Sequence, residues 1–162
     1  MMDFFQWLES TGFSTWVRES PSIFAFPVIL LFHTVGMALC VGVSAGINLR
    51  ILGFAPSLPL SPLARLFPIL WLGFWVNAIT GTALVMQDAS NKLRNVDFFV
   101  KMAFIALSLV VLRMIKNRVF KAPQVDGVPL ASNVKVLAIL SLVFWIGAIT
   151  CGRLLAYVEP GW

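Results

Sequence analysis

The sequence contains one histidine, His33, well inside a long apolar run. At a rise of about 1.5 Å per residue it lies roughly 15 Å from the start of that run, near the middle of a membrane. An ionisable side chain is costly in hydrocarbon, so its presence indicates a specific role. Gly36, Met37, Cys40 and Ser44 follow at spacings of three and four and share its helix face. We predict that this face contacts other helices.

A second apolar run carries a matching stripe formed by Gly73, Asn77, Thr80 and Gly81. Asn77 is predicted at the same depth as His33, so the two side chains can meet. One interpretation is a buried hydrogen bond that fixes helix register, with small residues allowing close approach. The other is an imidazole that binds a haem iron or another metal, with the small residues leaving room for it. Both interpretations stay open at this point.

Lys101 and Arg153 are further basic residues inside the predicted spans. Lys101 follows Asp97 by four residues, a spacing that allows an ion pair across one helical turn. Its aliphatic chain also allows the ammonium group to reach the membrane surface. Arg153 lies near the end of the last apolar run, with Glu159 as a candidate partner. Interfacial ion pairs are the simplest interpretation of both residues.

A copper path is a separate alternative. Sulfur ligands suit Cu(I), and such ligands recur along the predicted spans together with the histidine: Met37, Met86, Met102, Cys40 and His33. Methionine is also an ordinary core filler. The two cysteines, Cys40 and Cys151, are predicted at different depths, which argues against a disulfide.

Four apolar runs are long enough to position these residues across a bilayer, which requires roughly twenty residues per helix. They cover about residues 23–47, 66–86, 98–115 and 136–157 and are separated by polar or proline-rich linkers. We therefore predict an all-α integral membrane four-helix bundle over residues 21–162. Pro27 inside the first run predicts a kink or tilt there.

The composition supports the same class of protein. Apolar residues make up 59% of the 162-residue chain and charged residues 12%. A water-soluble domain carries about a quarter charged residues, so this chain has too few to cover a water-exposed surface. It also lacks a Ser/His/Asp set, a phosphate-binding loop and a dinucleotide motif, which argues against hydrolases and kinases.

Residues 1–20 precede the first run and mix polar residues with aromatic ones: Phe4, Phe5, Trp7, Phe13 and Trp16. Amphipathic segments of this kind lie in the lipid headgroup layer. Asp3 and Glu9, together with the lack of an apolar core of sufficient length, argue against a signal peptide. We predict an N-terminal interfacial amphipathic segment, broken at Gly12 into two short pieces.

The net charge of +5 comes from Lys and Arg residues at the ends of the apolar runs. This distribution indicates contact with lipid headgroups rather than with nucleic acid. Seven basic residues flank the linkers after the first and third runs: Arg50, Arg65, Arg113, Lys116, Arg118, Lys121 and Lys135. Five flank the other side: Arg18, Lys92, Arg94, Lys101 and Arg153. The excess predicts that both termini lie outside the cytoplasm.

Three stretches carry a resemblance to known families: WVRES…FP…LFHTVGMALCVG…NLRILG at 16–53, LFPILWLGFWVNAITGTAL at 66–84, and NVDFFVKMAFIALSL at 95–109. They resemble a functionally undefined family of small bacterial four-helix membrane proteins. They are more distantly similar to CopD-type copper-resistance proteins and HemJ-type protoporphyrinogen oxidases. The positions that match the shared pattern are His33, Trp71, Thr80, Gly81 and Lys101.

The HemJ-like resemblance implies a b-type haem near His33 with a functional role for Lys101, and the CopD-like resemblance implies copper handling. Since there is one histidine, a haem needs Met37, Lys101 or a neighbouring subunit as its other ligand, or stays five-coordinate. Our leading expectation is a redox-associated membrane protein that binds one haem b through His33.

The expected haem site also includes Met37, Asn77 and Lys101, while Thr80, Gly81 and Arg153 are expected to be structural polar positions. The alternatives are a non-catalytic accessory subunit of a membrane complex and a copper transporter. Catalytic activity of the chain's own is not expected. The expected location is the bacterial inner membrane, with lipid and other membrane subunits as partners and without nucleic acid.

Overall fold

The computed structural model describes residues 2–121, 130–155 and 157, and every regular element within them is helical. The helices are α1 Met2–Ser10, α2 Gly12–Glu19, α3 Phe26–Leu52, α4 Phe67–Met86, α5 Ala89–Lys92, α6 Val96–Ile115 and α7 Ser132–Leu154. A 3-10 helix, Ser61–Leu66, leads into α4, and a π-helical turn, Lys116–Phe120, extends α6. With these extensions, four helices are long and apolar enough to cross a membrane. The architecture is therefore that of an all-α, multi-pass four-helix membrane bundle.

The four long helices are arranged as two antiparallel pairs. α3 packs chiefly against α4 and α6 against α7, while α3 and α7 join the pairs. We call the end of the bundle that carries α5 the α5 end, and the opposite end, where the 3-10 helix and the π-helical turn lie, the linker end. At the linker end Phe120 packs edge-on against Phe67 with ring centroids 5.3 Å apart. Lys116 Nζ lies 4.9 Å from the centre of the Phe67 ring.

The long helices overlap the four predicted runs, and their ends differ from those of the runs by up to five residues. α3 begins at Phe26, so Pro27 lies in its first turn, where a backbone N–H has no intrahelical partner to lose. The predicted kink at Pro27 is therefore wrong. The helix also continues past residue 47 to Leu52 and is capped by Gly53, whose φ of 105° favours glycine. Phe54 N donates to Leu49 O at 3.0 Å and closes this end.

The two helix pairs are joined by a buried polar cluster that we call the seam cluster, formed by Ser44 and Asn48 of α3 and Ser141 and Trp145 of α7. Trp145 Nε1 donates to Ser44 Oγ at 3.0 Å, and Asn48 Nδ2 donates to Ser141 Oγ at 2.8 Å. The Ser44, Asn48 and Ser141 side chains are fully buried. Among the described residues, nothing hydrogen-bonds Asn48 Oδ1. Hydrogen bonds between membrane helices fix their register. The seam cluster therefore fixes the register between the α3–α4 pair and the α6–α7 pair.

The N-terminal residues form two short helices that cover the α5 end. The break falls at Thr11, whose hydroxyl accepts from Ser14 N at 3.4 Å and caps α2. Val17 of α2 is fully buried, whereas Trp7 of α1 is 60% exposed. Glu9 Oε1 accepts from Ser90 N at 2.6 Å, which ties α1 to the start of α5. The predicted division into two pieces is thus present, and its placement in the headgroup layer stays a prediction.

Candidate functional site

The predicted site depends on an unusually close contact between α3 and α4. A Cβ atom added at Gly36 would lie 2.7 Å from Asn77 N and 2.8 Å from Gly73 O. A Cβ atom added at Gly73 would lie 2.8 Å from Gly36 O and from Cys40 N. The two glycines therefore face each other across the interface, and their lack of side chains lets the backbones touch. This contact brings the half-buried His33 against α4.

His33 and Asn77 form reciprocal hydrogen bonds between the two helices. His33 Nδ1 lies 3.0 Å from the backbone oxygen of Asn77, and Asn77 Nδ2 donates to the backbone oxygen of His33 at 2.7 Å. The predicted meeting of these two residues is therefore present. The Asn77 side chain donates to the α3 backbone, and the Asn77 backbone carbonyl accepts from the imidazole.

The contact with the Asn77 carbonyl assigns the hydrogen of the neutral imidazole. A carbonyl oxygen can only accept, so Nδ1 must carry the hydrogen and Nε2 must present a lone pair. Thr80 Oγ1 lies 3.2 Å from Nδ1 and donates its own hydrogen to Val76 O at 2.6 Å. Within the described part of the chain, no residue hydrogen-bonds Nε2. Nε2 is therefore chemically available to a ligand.

The other predicted site residues on α3 and α4 lie beside the imidazole in different ways. A Cβ atom at Gly81 would lie 3.0 Å from His33 Cε1, so this glycine makes room for the ring. Thr80 Oγ1 lies within hydrogen-bond distance of His33 Nδ1. Met37 lies one turn further along α3 and is half-buried. The site on these two helices consists of one available nitrogen supported by backbone, hydroxyl and glycine contacts.

Lys101 lies on α6 and does not form the predicted ion pair with Asp97. Among the described residues it makes neither an ion pair nor a hydrogen bond. The four-residue spacing allows such a pair, but the Lys101 side chain lies against Gly152 of α7 instead. Its Cε and Nζ lie 3.3 Å from the position that a Cβ atom would take at Gly152. Lys101 nevertheless interacts electrostatically with His33.

Lys92 of α5 is a basic residue of the site that the sequence did not single out. Its Nζ donates to Leu84 O at 2.5 Å and lies 4.0 Å from Asp88 Oδ2. Burial lowers the pKa of Lys92 below its ordinary value, and the nearby Asp88 carboxylate opposes this shift. Lys92 also interacts electrostatically with His33 and with Lys101. In the sequence it reads as an ordinary loop lysine, since its contacts arise from how α5 folds back over the bundle.

Arg153 lies apart from these residues. It is exposed, and its guanidinium carbon lies 5.8 Å from the centre of the Tyr157 ring. Its proposed partner Glu159 lies outside the described residues. The contact with Tyr157 is a cation–π interaction at the end of α7, which agrees with a structural polar role.

The described residues contain no group of three or more His, Cys, Asp or Glu side chains arranged to hold a metal ion. Cys40 and Cys151 are both free thiols. Any metal bound at His33 would therefore rely on ligands of other types or on a cofactor that supplies its own donors. A haem meets this condition, because the porphyrin provides four nitrogens and the protein needs to add one or two.

Comparisons with protein families, with curated proteins and with solved structures find no match for the chain. The geometry of the site is therefore the basis on which a function can be proposed.

Proposed function

We propose that this chain is a redox-associated membrane protein that binds one haem b through His33. The observation that carries the proposal is the contact of His33 Nδ1 with the Asn77 carbonyl at 3.0 Å. Histidines that bind metals through one ring nitrogen typically donate the other N–H to a carbonyl or carboxylate, which fixes the tautomer and the ring orientation. Here the same contact fixes the ring and leaves the Nε2 lone pair for an iron.

The surroundings of the imidazole fit this ligand. Gly81 leaves room beside the ring, and Thr80 supplements the contact at Nδ1. Lys92 and Lys101 interact electrostatically with His33 and are opposite in charge to the two carboxylates that a haem carries. When bound, the haem would supply one-electron redox chemistry. The chain's own residues would hold and orient it and shield it from water.

We expect the purified protein, supplied with haem, to give a reduced-minus-oxidised visible spectrum typical of a b-type cytochrome. In His33→Ala the ligand nitrogen is lost, so haem affinity should fall by more than about 10-fold, the lower bound for losing even an outer-shell partner of a metal ligand. Thr34→Ala is the matched control, because Thr34 is the exposed neighbour on α3 and should leave the spectrum unchanged. Iron is counted on the same samples. A spectrum that is identical in His33→Ala would contradict the proposal.

A second candidate function is a non-catalytic accessory subunit in a larger membrane complex. The reciprocal hydrogen bonds between His33 and Asn77 favour this function, since they join α3 and α4 without any ligand. Exposed aromatic residues on α4, Trp71 and Trp75, offer a surface to partner helices as well as to lipid. A protein that binds neither haem nor copper, but co-purifies with a fixed set of membrane subunits, would support this function.

We further propose that the protein resides in a bacterial inner membrane with the α5 end and both termini outside. The excess of basic residues near the linker end supports this orientation. We expect a reporter enzyme that is active only outside the cytoplasm to be active when fused after the C-terminus. The same reporter inserted between α6 and α7 should be inactive. The reverse pattern of activity would invert the orientation.

A further inference from the structure

Three basic residues from three separate helices lie in the half of the bundle nearest the α5 end, where Lys92 contacts Leu84 of α4 and Lys101 contacts Gly152 of α7. His33 lies on α3, Lys92 on α5 and Lys101 on α6. Each pair among them interacts electrostatically, and the two lysines repel one another. The carboxylate that offsets this charge, Asp88, lies 4.0 Å from Lys92 and thus serves that lysine alone. The cluster therefore carries an excess of positive charge.

Lys101 is the member without a carboxylate partner among the described residues, where the ionisable groups that act on it are Lys92 and the Cys151 thiol of α7. It is half-buried in a membrane-spanning helix, and neither Asp97 nor any other described residue pairs with it. Placing an unpaired ammonium group among apolar helices costs several kcal/mol unless a counter-charge is present. Gly152 provides the space in which the side chain lies, since a Cβ atom at that position would be 3.3 Å from Lys101 Nζ.

We propose that Lys101 and Lys92 form a binding site for the anionic oxygens of an amphiphilic ligand, either a carboxylate or a phosphate. For a haem ligand the site takes the haem carboxylates, and in that form the proposal rests on the proposed function above. The headgroup phosphate of an anionic lipid offers the same chemistry. Lys101 makes the larger contribution, because Lys92 already donates to Leu84 O.

The experiment compares haem with haem dimethyl ester, in which both carboxylates are masked while the iron and the porphyrin nitrogens are unchanged. Binding of each to the detergent-purified full chain is followed by visible titration. The wild type should bind haem about 10-fold more tightly than the diester, as expected for losing one charge-assisted hydrogen bond. In Lys101→Gln this preference should fall below about 3-fold, with the absorption spectrum of the His33 complex unchanged.

Three variants complete the test. Lys101→Arg keeps the charge and should restore the preference for haem over the diester. Lys92→Gln should reduce the preference less than Lys101→Gln does. Lys135→Gln is the matched control, because Lys135 is exposed near the linker end and should behave as the wild type. If the wild type and Lys101→Gln prefer haem over the diester equally, the proposal that Lys101 binds the haem carboxylates is overturned.

Binding of an anionic lipid is tested without haem. A failure of the lysine site can then be told apart from a failure of the protein to bind haem. The melting temperature is measured in micelles that contain either phosphatidylglycerol or zwitterionic phosphatidylcholine. A stabilisation by phosphatidylglycerol that is present in the wild type and lost in Lys101→Gln supports the anion site with a phosphate ligand, even when neither porphyrin binds. An equal response of both proteins to the two lipids, together with no carboxylate preference, overturns the proposal.

Discussion

Gly36→Ala is expected to destabilise the protein by roughly 3 kcal/mol or more, at the upper end of the cost of overpacking. The new methyl group would lie 2.7 Å from Asn77 N and 2.8 Å from Gly73 O, and both of these atoms belong to the backbone of α4. A backbone cannot rotate away, so α3 and α4 must separate. Thermal unfolding in detergent should show a melting temperature lower by about 6–12 °C.

The same helix provides the control for this change. An added Cβ atom at Gly42 or Gly46 meets no atom within 4 Å. Gly42→Ala and Gly46→Ala should therefore be neutral or stabilise α3 by up to about 1 kcal/mol, because alanine is the better helix former. A melting temperature for Gly36→Ala equal to that of these two variants would show that the helices do not approach as closely as described.

Asn48→Asp is expected to destabilise the protein by about 3–5 kcal/mol, the cost of a buried charge without an opposite charge. The replacement has nearly the same shape as asparagine, so packing is preserved and the effect is electrostatic. Asn48 is fully buried between α3 and α7, and the surrounding side chains of the seam cluster are neutral. Chemical or thermal denaturation of the purified variant measures the loss directly.

The matched control is Asn133→Asp, the same chemical change at an exposed position in the first turn of α7. A negative charge at a helix N-terminus is weakly favourable, so its stability should equal or slightly exceed that of the wild type. If Asn48→Asp unfolds at the same temperature as Asn133→Asp, then Asn48 is open to water and the seam cluster is not a closed interface.

The spans were predictable because membrane helices are specified by long apolar runs, which a sequence displays directly. The ends of the runs were harder to place. The first run was predicted to end at about residue 47, just before the polar Asn48, whereas Asn48 lies inside α3 and is fully buried. Its spacing of four residues from Ser44 was the available signal, since it continues the polar stripe that begins at His33.

The site was predictable where it depends on spacing along a helix and unpredictable where it depends on packing between helices. His33 and Asn77 meet as expected from their depths. An ion pair between Lys101 and Asp97 was predicted from the same kind of spacing. The Lys101 side chain instead lies in the space beside Gly152 of α7. The conformation of a flexible lysine side chain depends on such spaces, and these form only when α6 and α7 pack together.

The arrangement of the helices in two pairs has a consequence for biosynthesis. The polar groups of His33, Asn77 and Thr80 are satisfied inside the first pair, so that hairpin can leave the insertion machinery without waiting for the rest of the chain. The hydrogen bonds that Ser44 accepts from Trp145 and that Asn48 donates to Ser141 need α7, the last helix to be synthesised. Until α7 arrives, Ser44 and Asn48 have only each other as partners, at 3.4 Å, and their pairing with α7 favours the final assembly step.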